Sequence, residues 1–93
     1  AGFRVVELGG DTPEAELAAM AQLERPRVVL LSATDDRHVP AVRAAIGALR
    51  AASYGGPVIV GGGPFVRDPG LAAAVGADAG ATDALSAVEA VRR

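Results

Sequence analysis

The 93-residue chain carries a formal charge of −2 and no cysteine or lysine, and its nine basic side chains are arginines scattered along its length. These features exclude a disulfide framework and a thiolate metal site. With only 3% aromatic residues, they also argue against the basic stripe or stacking platform that direct nucleic-acid binding needs. No apolar run approaches the roughly 20 residues that span a bilayer, and the N-terminus lacks the layout of a signal peptide, so one small cytoplasmic domain over residues 1–93, with no membrane contact, is the expectation.

In chain order, Phe3-Arg4-Val5-Val6-Glu7-Leu8 reads as a strand that ends at Gly9-Gly10. A helix follows. Thr12 is its expected N-cap, Pro13 its first residue, and Glu14 and Glu16 complement its dipole. Leu17, Met20 and Ala21 sit at helical spacing, and Pro26 stops the element. Arg27 to Ser32 is a second strand, apolar until its last residue and therefore expected to be buried on both faces. A longer helix starts near Val39-Pro40, presents Val42, Ile46 and Leu49 as one stripe, and is expected to run to Gly55-Gly56.

Pro57 to Val60 is the third strand, a β-branched run that breaks into Gly61-Gly62-Gly63 and Pro64. Consecutive glycines remove every Cβ where the strand ends, so another backbone or a flat ligand can approach closely. Asp68 and Pro69 open a short helix with Leu71 and Val75 inward, closed by Gly76. Ala77 to Ala81 is assigned as the fourth strand mainly because the alternation requires one. Thr82 or Asp83 caps the final helix, with Leu85, Val88 and Val91 inward and Arg92-Arg93 at its negative end.

Four strands alternating with four helices imply an α/β, flavodoxin-like (Rossmann-like), doubly wound parallel sheet with right-handed crossovers and helices on both faces. A sheet of order 2-1-3-4-5 has a further strand, and here the first is the one expected to be missing. On that reading Arg4–Leu8 is an edge strand whose hydrogen-bonding neighbour precedes Ala1.

Ser32 ends an apolar strand and needs a partner for its hydroxyl, which a local backbone amide or a ligand could supply. The glycine triplet reads equally as a plain strand-to-helix turn. His38 is the only histidine and lies in a polar run expected to be solvated, and Asp35-Asp36 reads as a loop or a helix cap. A phosphoacceptor receiver domain needs a lysine that this chain lacks, and a dinucleotide-binding domain needs a G-x-G-x-x-G that neither glycine cluster supplies. No nucleophile–base pair or carboxylate dyad is present, so catalytic residues and a catalytic metal are not expected and the chain is not read as an enzyme on its own.

Gly2-Phe3-Arg4-Val5-Val6-Glu7-Leu8-Gly9, Asp11-Thr12-Pro13, Val29-Leu30-Leu31-Ser32-Ala33-Thr34, Val58-Ile59-Val60-Gly61-Gly62 and Gly76-Ala77-Asp78 with Asp83 resemble the successive blocks of the cobalamin-binding domain family. The texture is closest to methyltransferase corrinoid domains and cobalamin-dependent regulators. The resemblance implies cobalamin as cofactor, bound at Ser32, Ala33, Thr34, Gly61 and Gly62. Its nucleotide tail would thread a slot between the strands, with the Ser32 hydroxyl on the displaced base and the glycines making room. The family's DxHxxG, which supplies the axial histidine, has no match and is expected in the loop after the missing strand. The implied role is corrinoid carrier, partnered by methyltransferase subunits, or sensor, partnered by a DNA-binding or signalling domain. The alternative is a receiver-like regulatory or interaction domain that binds no cobalamin.

Overall fold

In a computed structural model, residues 3–7, 14–68 and 70–81 of the chain are described. Four strands form one parallel sheet: β1 (Phe3–Glu7), β2 (Val28–Ser32), β3 (Val58–Gly61) and β4 (Ala79–Gly80), in the order β1-β2-β3-β4. Each strand pairs with the next in the chain, and the fold is the flavodoxin-like α/β fold expected from the alternation. Strand β1 pairs with β2, from Phe3↔Val28 to Glu7↔Ser32, and stands at one edge of the described sheet. The physical reason is that a strand edge must satisfy its backbone groups, and β2 offers an apolar run of matching length.

Helix α1 (Glu14–Glu24) turns Leu17 and Ala21 inward, and α2 (Val39–Ala51) turns Val42, Ala45, Ile46 and Leu49 inward, the stripes that the spacing predicts. Both pack on the sheet face that carries Val29, Leu31, Val58 and Val60, each fully buried, in one core with Phe65, Ala72 and Val75. Those strand residues are cross-strand partners in register, so they point to one side of the sheet. The other side is different. It is half-buried at Leu30, Ser32 and Ile59 and open at Phe3 and Val5, which are 82% and 63% exposed. Thus β2 is not closed equally on both faces. Residues 82–93, where the final helix is expected, and Leu8, Thr12, Pro13 and Pro69 lie outside the described residues.

Two elements depart from the spacing. Gly63–Arg67 forms a short helix, α3, where a plain turn was expected; Gly62 precedes it and Pro64 occupies its first turn, a position that costs proline no hydrogen bond. It leads through Asp68 to α4 (Leu71–Ala74), closed by Gly76 at φ +91°. The other departure is that α2 stops at Ala51, before Gly55-Gly56. Its end is a left-handed cap on Ser53 (φ 64°), with Ser53 N–H donating to the Arg50 carbonyl and Tyr54 N–H to the Leu49 carbonyl, both at 3.0 Å. A glycine would adopt that conformation without strain, so Ser53→Gly should raise stability by about 0.5–1 kcal/mol, read as a higher thermal midpoint.

Tyr54 then turns under the sheet, where its hydroxyl donates to the Pro26 carbonyl at 3.0 Å. Burial pushes its phenol above the ordinary value, with Arg50 opposing the shift. The neutral phenol therefore contributes stability that is present below about pH 10 and lost as pH rises through the raised value. Tyr54→Phe should cost about 1–2 kcal/mol at neutral pH and flatten that alkaline loss in urea titrations. At the same end of the sheet, Arg50 donates to the carbonyls of Tyr54 and Gly56 at 2.8 Å and pairs with Asp78 at 2.9 Å. Asp78 also accepts from Val58 N–H at 2.7 Å, which sets β3 beside β4.

Candidate functional site

The C-terminal ends of β2 and β3 bring the expected residues together. Ser32 and Gly61 are cross-strand partners, and Ala33 N–H donates to the Gly61 carbonyl at 3.1 Å. Backbone pairing therefore continues to the last residue of each strand. On the second face of the sheet the alternation of β2 and β3 places Ser32 and Gly61 side by side, above Leu30 and Ile59. Ser32 is half-buried, and among the described residues its hydroxyl has no hydrogen-bond partner. Glu7 is its partner position on β1.

The glycines do different work. A Cβ on Gly61 would stand 3.2 Å from the Cβ of Ala81, so the missing side chain lets Ala81 approach β3 closely. Gly62 is a backbone requirement: its φ is +107°, and a Cβ there would overlap the carbonyl oxygen of Ala33. Ala33 is fully buried and seals the core side, whereas Thr34 is exposed and opens the loop after β2. The five residues thus differ in setting: half-buried Ser32 and buried Gly61 share the second face, Ala33 and Gly62 fix the strand ends, and Thr34 lies exposed in the loop.

Past Thr34 the loop caps itself. Asp35 accepts from Arg37 N–H at 2.9 Å and pairs with the same guanidinium, and the backbone hydrogen bond foremost holds its carboxyl below the ordinary value. His38 ends the 3-10 turn Asp36–His38 and is half-buried. Among the described residues no group of three or more His, Asp or Glu side chains is placed to hold a metal ion, and no helix is long and apolar enough to cross a membrane. Sequence reasoning missed Arg67, whose guanidinium reaches back to Asp36 at 2.8 Å and lies over Gly63, a residue to which it gave no role. No sequence pattern marks that pair, since the two residues are 31 apart.

Two clefts formed by described residues lie off this row. One, of about 400 Å³, sits at the opposite end of the sheet beside Arg25, Pro26, Ser53 and Tyr54. The other, of about 380 Å³, opens at the end that carries Ser32 and is lined by Asp36, Val39, Pro64, Arg67, Asp68 and Leu71. Open α/β sheets bind ligands outside the carboxyl ends of their strands, so the second lies at the relevant edge.

The sequence matches the family model of the B12 binding domain over residues 1–92. The chain belongs to that family. No curated protein matches it. Membership makes the chain a cobalamin-binding module and cobalamin its cofactor, and the parallel sheet is the one expected of such a domain.

The face that carries Leu30 and Ile59 is apolar, Gly61 adds no side chain to it, and the half-buried Ser32 hydroxyl beside it has no hydrogen-bond partner among the described residues, a setting compatible with a flat, polar-edged group. When bound, cobalamin would supply the cobalt-centred chemistry.

Proposed function

We propose that this B12-binding domain holds the nucleotide tail of cobalamin at Ser32, Ala33, Thr34, Gly61 and Gly62, on the sheet face rather than between strands. The module serves as the corrinoid carrier of a methyl-transfer system or as the sensor domain of a cobalamin-responsive regulator. The observation that carries the site is the register of Ser32 with Gly61: a hydroxyl with no hydrogen-bond partner among the described residues beside a position without a Cβ, at the carboxyl edge of a parallel sheet. In a carrier, methyltransferase subunits would present methyl donor and acceptor to the cofactor. In a sensor, a DNA-binding or signalling domain would read its arrival.

The test is retention of pigment. Protein mixed with hydroxocobalamin and passed through a desalting column should emerge coloured, with a visible spectrum shifted from that of the free cofactor. Colourless protein under both oxidising and reducing conditions would refute the assignment. Carrier and sensor separate by a second measurement: methyl transfer to a thiol or amine acceptor in the presence of methyltransferase subunits, against a cobalamin-dependent change in DNA or partner binding.

A further inference from the structure

The Asp36–Arg67 pair joins the loop after β2 to the helix after β3, the two segments that follow Ser32 and Gly61. Arg67 is seated by a glycine: a Cβ at Gly63 would stand 3.0 Å from its guanidinium and 3.6 Å from the Thr34 carbonyl. The pair lines the cleft of about 380 Å³ together with Val39, Pro64, Asp68 and Leu71. Its side chains are 61% and 76% exposed, so both ends of the ion pair remain open to a ligand. Exposed pairs of this kind contribute about 0–1 kcal/mol to stability, which leaves their placement at the ligand edge without a structural explanation.

The charges select the ligand class. One guanidinium faces two carboxylates, so the cleft is net negative and repels phosphate, while Arg67 itself disfavours a simple cation. Neutral primary amides suit it: their carbonyls can accept from Arg67, their NH2 groups can donate to Asp36 and Asp68, and their methylene stems can pack on the half-buried Val39 and Leu71. A corrinoid ring carries such amide arms around its rim. Resting on the cobalamin assignment, we propose that the Asp36–Arg67 cleft is a second contact zone, which grips amide arms of the corrin ring on the helix side of the sheet edge while Ser32 and Gly61 hold the nucleotide tail on the other side.

Visible titrations with hydroxocobalamin and with dicyanocobinamide, which keeps the amide arms and lacks the nucleotide tail, test this. Arg67→Ala should weaken binding of both probes about tenfold, with Arg67→Lys recovering part of the loss and the thermal midpoint staying close to that of the unmodified protein. Ser32→Leu should weaken hydroxocobalamin alone. If the unmodified protein binds and Arg67→Ala binds both probes equally well, or loses hydroxocobalamin only, the amide cleft is refuted and the tail site stands. If the unmodified protein binds neither probe, the cobalamin assignment fails and the cleft proposal with it.

Discussion

Ser32→Leu is expected to abolish retention of hydroxocobalamin through desalting while leaving the fold intact. Ser32 is half-buried on the second face of the sheet, and its hydroxyl has no partner among the described residues, so leucine breaks no hydrogen bond to any of them. The larger side chain instead projects from the same face beside Gly61 and removes the hydroxyl of that pair of strand ends. Loss of one hydrogen bond together with a steric block should weaken binding at least about a hundredfold, near 3 kcal/mol. Gly61→Val acts from the neighbouring strand and must also push Ala81, already 3.2 Å from where its Cβ would stand, so some loss of stability accompanies its loss of binding. Visible titration beside a thermal melt checks both variants. Undiminished binding in both would place the tail elsewhere.

Gly62→Ala is expected to do the reverse: destabilise the protein whether or not cofactor is present. Two independent costs meet there. Alanine at φ +107° is strained by about 1–3 kcal/mol, and its Cβ would overlap the Ala33 carbonyl, which is backbone and can yield only by shifting the end of β2. The sum, about 3–5 kcal/mol, is a large part of the 5–15 kcal/mol that holds a small domain. The melting temperature should fall by about 12 °C or more, and an unchanged midpoint would show that the Gly62 geometry does not govern the fold. The contrast with Ser32 separates two readings of one motif. Neighbouring glycines that look alike in the sequence differ in kind: Gly61 leaves space, and Gly62 permits a backbone path.

The apolar runs and their punctuation made most of the fold legible. Val28–Ser32 and Val58–Gly61 are strands because β-branched residues crowd them, and α1 and α2 bury the residues that helical spacing selects. Boundaries were less legible. Ser53 ends α2 in a left-handed cap normally taken by glycine, so the nearest glycines, Gly55-Gly56, misplaced the end. Helix α3 was hidden because Gly63-Pro64 reads as a turn until the chain after Gly62 is seen folding back over Thr34. The candidate site divides the same way. Its residue types could be read from the chain, while the face on which each lies depends on strand register.

What the sequence determined by itself is therefore the alternation of strands and helices, the core stripes and the family, because each rests on local spacing or on residues near one another in the chain. Only the tertiary structure decided that β1 pairs with β2, that Ser32 and Gly61 share one face while Gly62 supports Ala33 from the other, and that Asp36 meets Arg67. These depend on contacts between distant residues, set by backbone hydrogen bonding and by the one register that buries Val29, Leu31, Val58 and Val60 together.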